Sequence, residues 1–162
     1  MLGMPPGIPA VPPLPMNSSP PFWQNRTLAD FTLVEWEALC DGCGKCCLHK
    51  LEDVDTGRLF HTNVACRLLD LQTGQCSRYA NRFRWVPDCV QLTPAEVQQI
   101  NWLPVTCAYR LLAEGKPLPN WHPLITGDRQ STQRAGMSMC GWALPERRVR
   151  RLEDHIIEWP LS

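Results

Sequence analysis

Long apolar runs are missing from this chain of 162 residues. Proline or a charged residue breaks every stretch well short of the roughly 18 apolar residues that would cross a bilayer, so no membrane span is expected. An excess of either charge is missing too: 16 Lys and Arg balance 16 Asp and Glu, which excludes a broadly basic nucleic-acid binder. The amino terminus lacks the basic start and unbroken apolar core of a secretory signal, so the cytoplasm is the expected compartment. The phosphate loop G-x-x-x-x-G-K-[ST], the dinucleotide fingerprint G-x-G-x-x-G, the nucleophile elbow G-x-S-x-G and the zinc-protease H-E-x-x-H are all absent, and no nucleotide cofactor follows. No internal repeat is visible. Two residue types are in excess instead, with 16 Pro and 9 Cys.

The prolines concentrate at one end. Met1 to Pro21 carries 8 of them and no charge, a composition that neither holds a helix nor pairs as a central strand. It reads as a disordered Pro-rich tail that is dispensable or reflects a misplaced start codon with Met16 as the true start, the lesser alternative being a proline-rich ligand for a groove-binding partner. Residues 22–162 form the expected cysteine-cluster metal-binding domain, long enough to bury about two-thirds of the surface its unfolded chain exposes. Thr32-Leu-Val-Glu35 has capping-box spacing and predicts a short helix through Trp36 and Leu39 that delivers the chain to Cys40. Thr93-Pro94-Ala95-Glu96 predicts a second helix ending near Pro104, and Thr106 to Glu114 a third, terminated by Gly115. Arg58 to Thr62 and Cys66 to Tyr79 read as short strands or irregular hairpin, Met137 to Leu144 as a strand, and Arg151 to Glu158 as a closing helix. The expected fold is α+β: a small, loop-rich single domain with several short helices organised around cysteine metal sites.

Cys40, Cys43, Cys46 and Cys47 read C-x2-C-x2-C-C, and Cys66, Cys76, Cys89 and Cys107 follow. A C-x2-C turn aims two thiolates at one metal while backbone N–H groups moderate their charge, and Gly42 and Gly44 stand where such a turn needs a left-handed residue. A disulfide framework belongs to short secreted chains, and nothing here points to export. Free thiols at this density would invite oxidation, so metal binding is the expected chemistry. Eight cysteines fill two all-thiolate zinc sites, or one site plus structural thiols. The run C-x2-C-x2-C with a distant fourth cysteine is equally that of bacterial ferredoxins, although no cysteine here precedes proline. Adjacent Cys46 and Cys47 point in different directions, so they serve different sites or one supports the other's.

The stretch from Pro21 towards the C-terminus, with LCDGCGKCCLHK, the later CSRY and PDC, and WLPVTCAYRLLAEGKPLPNWHPLITGD, closely resembles the bacterial YcgN-like cysteine-cluster family. That family sits in a wider group defined by a CxxCxxCC motif, described as zinc- or iron-chelating and including flagellin lysine methylases. The resemblance implies metal chelation without naming an activity. It places the signature on Cys40, Cys43, Cys46 and Cys47, the following pattern on Cys66, Leu69, Asp70, Gly74, Cys76, Tyr79 and Cys89, and the YcgN-like branch on Cys107. Where the wider group has R-P-x-x-C-R, this chain reads Arg82-Phe-Arg-Trp-Val-Pro-Asp-Cys89. Cys140 matches no family cysteine and is expected to be a core or surface thiol.

Other candidates read as structural. His49 could complete a three-cysteine, one-histidine site, but eight thiols already suffice, and His61, His122 and His155 lack ligand spacing. Lys45, Lys50, Arg67 and Arg78 could offset thiolate charge or stand solvated beside the loops. Glu52 to Gly57 opens like a calcium loop yet has Arg58 and Val64 where glycine and an acid belong. The run Glu146 to Arg151 reads as a solvated face, and the tryptophans as packing around the metal loops. The expected function is therefore that of a cytoplasmic metal-binding protein holding zinc or an iron–sulfur cluster. The competing roles are an iron–sulfur redox enzyme or electron-transfer protein, and a metal-trafficking or zinc-structured protein-interaction module. A metal ion is the expected partner, a protein partner is left open, and neither nucleic acid nor membrane is expected.

Overall fold

The structure, a computed structural model, describes residues 21–158. The expected tail, residues 1–21, lies outside the described residues except for Pro21, and Met16 lies outside with it. Pro21 opens a turn by accepting a hydrogen bond from Gln24 N at 3.0 Å.

The first helix, α1 (Leu33–Ala38), begins as its sequence predicts. Thr32 accepts from Glu35 N, and Glu35 returns a bond to Thr32 N, which satisfies two of the amides a helix start leaves open. Arg26 pairs with Glu35 from outside at 2.5 Å. One face of α1, with Leu33 and Val34, is exposed, while Trp36, Ala38 and Leu39 turn inward. Its last carbonyls are met by side chains from far along the chain. Tyr109 donates to Trp36 O at 2.8 Å, and His122 Nε2 lies 2.8 Å from Leu39 O. Those two bonds fix the point at which the chain leaves α1 and enters the cysteine loop.

The remaining helices are short: α2 (Arg82–Trp85), α3 (Pro94–Val97), α4 (Ala108–Ala113), α5 (Pro123–Thr126) and α6 (Ser131–Arg134). The Thr93 cap forms, but α3 stops after one turn instead of reaching Pro104. The segment after Gln98 instead lays Ile100, Trp102 and Leu103 onto the helical core, and that contact outweighs continuing the helix. The third predicted helix is α4, ended by Gly115 at φ 72°.

The strands are β1 (Leu48–Glu52), β2 (Leu59–Ala65), β3 (Leu144–Pro145) and β4 (Ile156–Ile157). Central β2 pairs antiparallel with β1 on one edge, and on the other parallel with β3 and antiparallel with β4. The β1–β2 turn is the acidic stretch rejected above as a calcium loop. Asp53 Oδ1 accepts from Asp55 N and Thr56 N, and Gly57 takes φ 72°. Two expectations are corrected. Met137 to Leu144 is mostly turn, with strand only at its end. Arg151 to Glu158 is a 3-10 turn (Leu152–His155) followed by β4, because Ile156 and Ile157 find β2 as a partner. Cys66 to Tyr79 takes the irregular-hairpin form of its expectation, an antiparallel Leu69–Cys76 bridge closed by the turn at Gly74, without regular strands.

Two apolar clusters result. The larger gathers Trp23, Trp36, Leu39, Leu103, Tyr109 and Leu124 among the helices, and the smaller holds Leu48, Ala65, Leu69 and Met139 beside the sheet. The cysteine loop runs from Leu39 of the first to Leu48 of the second.

Candidate metal centre

The loop 40–47 is shaped by its own backbone. Asp41, buried, accepts from Cys43 N at 3.0 Å through Oδ1, closing the first knuckle. Gly42 and Gly44 take φ 75° and 76°, the left-handed region that an L side chain resists. Gly44 caps a 3-10 turn, Lys45–Cys47, that ends where β1 starts. From outside, Met139 N donates to Cys43 O at 2.8 Å, so the loop over residues 138–140 lies along the knuckle.

The turn after Cys66 packs on the same loop, which explains the pattern Leu69-Asp70 with Gly74. Leu69 is buried in the sheet-side cluster, and Asp70 Oδ1 accepts from Gln72 N and Thr73 N. Gly74 closes that turn at φ 76°, where an added Cβ would stand 2.5 Å from Gly42 O. The two cysteine-bearing turns touch backbone to backbone. Tyr79, two residues after Ser77, donates to Glu37 of α1 at 2.6 Å and ties the second turn to the helix that precedes the first.

The thiols fall into neighbourhoods. Cys40 lies near Cys46 and Cys107, Cys43 near Cys40 and Cys46, and Cys66 near Cys76 and Cys89, while Cys47 lies near Cys46, Cys40 and Cys66 and so joins the two neighbourhoods. Cys43 is buried, Cys40 and Cys46 present exposed edges, and the others are half-buried. Burial, then the Asp41 charge, pushes the Cys40 and Cys43 thiols up, and burial takes Cys107 up to about 12. Cys46 moves the other way: the hydrogen bond from Cys47 lowers its thiol most, and the Lys50 ammonium adds to this against the cost of burial. Lys50 is anchored for that role by donating to Cys46 O and Leu48 O, both at 3.0 Å, with its ammonium 4.2 Å from the centre of the Trp102 ring.

No group of three or more His, Cys, Asp or Glu side chains already converges in metal-holding geometry among the described residues. The donor chemistry nonetheless fits a soft or borderline cation: six thiols on two abutting turns, Cys89 on the turn after α2 and Cys107 at the start of α4, with left-handed glycines in the first knuckle. Thiols pushed up by burial stay protonated without metal, so binding releases protons and tightens as pH rises.

Other candidates are placed elsewhere. His49 faces Glu146 at 3.0 Å, and Glu146 also accepts from Arg67 N. Arg67 reaches the Trp85 carbonyl and Arg78 stacks on the Trp85 ring, so both arginines brace the segment ahead of Cys89 rather than the thiols. His122 is wholly buried. Its Nδ1 accepts from Leu124 N, which leaves Nε2 protonated to donate to Leu39 O, a structural role. Cys140 packs beside the sheet cluster with its thiol donating to Gln72 O at 3.5 Å. Asp41 escaped sequence reasoning, although an Asp before Gly inside a knuckle is a readable turn signal.

This arrangement is that of a cysteine-loop domain, and residues 39–108 match the family described as "CxxCxxCC: Putative zinc- or iron-chelating domain". The match spans all eight cysteines singled out above and stops short of Cys140. The chain belongs to the UPF0260 family. It is 56% identical over 143 residues to a UPF0260 protein of Rhizorhabdus wittichii, covering 88% of this chain and 98% of that one. It is 55% identical to one of Shewanella oneidensis, covering 87% and 97%, and 53% identical to UPF0260 protein YcgN of Salmonella newport, covering 90% and 95%. No solved structure matches the chain. No helix among the described residues is long and apolar enough to cross a membrane.

Proposed function

We propose that this is a cytoplasmic metal-binding protein that holds zinc or an iron–sulfur cluster on Cys40, Cys43, Cys46, Cys47, Cys66, Cys76, Cys89 and Cys107, the metal acting first as a structural tie. The observation that carries this is the position of the cysteine loop between the two apolar clusters. The sheet-side cluster has four buried residues, each large one contributing on the order of 2 kcal/mol, and a core that small is what metal staples commonly reinforce. Bound zinc would supply a fixed four-way crosslink, and bound iron–sulfur would add one-electron chemistry. The residues of this chain do the rest. Asp41, Gly42 and Gly44 hold the knuckle open, Lys50 offsets thiolate charge, and Gly74 lets the second turn reach the first. A structural zinc would contribute on the order of 10 kcal/mol to folding, so a chelator should unfold the loops.

The test is anaerobic purification followed by elemental analysis and an absorption spectrum. Colourless protein with zinc supports the structural reading, and brown protein that bleaches in air moves the function to electron transfer or redox catalysis. Fewer than one metal per chain, with all eight thiols free, removes the proposal. Cys43→Ser should lower metal content where Cys140→Ser does not.

A further inference from the structure

We propose that the exposed surface formed by Arg78, Tyr79, Arg82, Phe83, Arg84 and Trp85 is a docking site for an acidic peptide segment of a protein partner. The partner's carboxylates would meet the guanidinium groups, and its apolar side chains the ring edges. Such docking is independent of what the cysteines hold.

A 3-10 turn, Tyr79–Asn81, runs directly into α2 and gathers these side chains into one short stretch of chain. Tyr79, Phe83 and Trp85 are 48%, 40% and 43% exposed. None of the three packs on either apolar cluster, although Trp85 was expected among the packing tryptophans. Large rings left in water beside arginines are the composition of a binding surface rather than of a solvated turn.

Each ring is held by an arginine. The Arg82 guanidinium lies 4.2 Å from the centre of the Tyr79 ring and 4.7 Å from that of Phe83, and the Arg78 guanidinium lies 5.3 Å from that of Trp85. Arg67 fixes one end of the stretch by donating to the Trp85 carbonyl, and Tyr79 fixes the other by donating to Glu37 of α1 at 2.6 Å. The groups that would meet a partner are therefore pre-positioned, so docking loses less rotamer freedom.

Their positive charge has no counterpart. Residues 71–87 contain no Asp or Glu, and Arg78, Arg82 and Arg84 form no ion pair among the described residues. Arg82 uses one N–H on Tyr79 O at 2.9 Å, while the guanidinium groups of Arg78 and Arg84 donate to nothing among the described residues. A guanidinium lying over a ring keeps N–H edges free to hold a carboxylate through two parallel bonds. Glu37 also touches this surface and is outnumbered by the guanidinium groups. One turn from Glu37, the exposed Leu33 of α1 adds apolar area beside Tyr79. An acidic peptide fits better than single-stranded nucleic acid, because bases need open ring faces and here guanidinium groups already lie over all three rings.

The experiment measures fluorescence anisotropy of a fluorescein-labelled peptide of Glu-Glu-Leu-Gly repeats with the full-length chain, beside a Gln-Gln-Leu-Gly peptide and oligothymidylate. Saturable binding of the acidic peptide is expected, weakened by salt and about tenfold or more tighter than that of the Gln peptide. Arg84 makes no contact that the fold needs, so Arg84→Glu should weaken binding about tenfold while melting temperature and metal content stay unchanged. Phe83→Ser should also weaken it. Replacing the exposed Arg147, Arg148 and Arg150 together by Gln removes more positive charge elsewhere and should leave the affinity unchanged. No saturable binding, equal binding of the Gln peptide, or loss in the Arg147 set without loss in Arg84→Glu overturns the proposal. So does tighter binding of oligothymidylate, or self-association of the chain that displaces the peptide, which would make the occupant a nucleic acid or a second copy. Each of these results leaves metal binding standing.

Discussion

Three glycines share nearly one backbone angle and differ only in what surrounds them, so substituting each by alanine separates conformational strain from packing. Gly42, Gly44 and Gly74 lie at φ 75°, 76° and 76°. Each alanine variant carries the left-handed penalty, roughly 1–2 kcal/mol. A Cβ on Gly42 meets nothing within 4 Å, so Gly42→Ala should cost no more than that. On Gly44 it would stand 2.7 Å from Met139 Cγ, part of a flexible but wholly buried side chain, which adds on the order of 1 kcal/mol. On Gly74 it would stand 2.5 Å from Gly42 O, and backbone cannot rotate aside. The two cysteine turns must separate, at a further 1–3 kcal/mol or so. The expected order of stability is wild type, Gly42→Ala, Gly44→Ala, Gly74→Ala, spanning about 2–5 kcal/mol. Urea unfolding of protein saturated with one chosen metal measures it, provided the m-value is unchanged. A Gly74→Ala variant as stable as Gly42→Ala would refute the close approach of the two turns.

Further outcomes follow from single contacts. Thr32→Ala removes the cap that starts α1 and should lower stability by about 1 kcal/mol in thermal unfolding. Burial lowers the His122 pKa below its ordinary 6.5, so the unfolded chain binds the extra proton; stability should be full above about pH 6.5 and fall as pH drops through the folded value. Replacing His122 with Gln should flatten that part of the pH–stability curve, and an unchanged curve would show that another group controls it. Lys50→Met removes the cation beside Cys46 and Cys47 and should weaken metal affinity by about 10–100-fold in competition with a chelator, with Lys50→Arg retaining part of the affinity.

The features legible in the sequence were those whose cause is local. The Thr32 capping box and the stop at Gly115 depend on residues three or four apart, and both form. The left-handed glycines of the knuckle were legible for the same reason. The second predicted helix, after Thr93, was overstated because tertiary contact of Ile100, Trp102 and Leu103 decides where that segment turns. β4 was invisible because two isoleucines in an acidic and basic tail become a strand only when β2 is beside them. At the candidate site, the cysteines could be named from the sequence, but the residues that shape their turns could not. Asp70 and Gly74 could be matched as a pattern without showing that they carry one cysteine turn onto another, and Arg67 could not be seen to reach past the thiols to Trp85.

That distribution of local and long-range causes bears on what a metal would do here. The backbone of the first knuckle is set by short-range devices: an Asp41 side chain on the next amide but one, two left-handed glycines and a 3-10 turn. Its attachments to the rest of the molecule are single hydrogen bonds from distant elements, namely Tyr109 and His122 onto the end of α1, Met139 onto Cys43 and Cys66 onto Cys47. Each such bond contributes about 1 kcal/mol net, small beside the order of 10 kcal/mol that a structural zinc adds. The loop's two ends, Leu39 and Leu48, are buried in different apolar clusters, so on the proposed metal-binding reading a metal held by the loop would add its crosslink at the junction of the helical and sheet-side clusters. The role of the protein then turns on whether that occupancy is permanent, as in a structural domain, or exchanges with a donor or acceptor of the same ion.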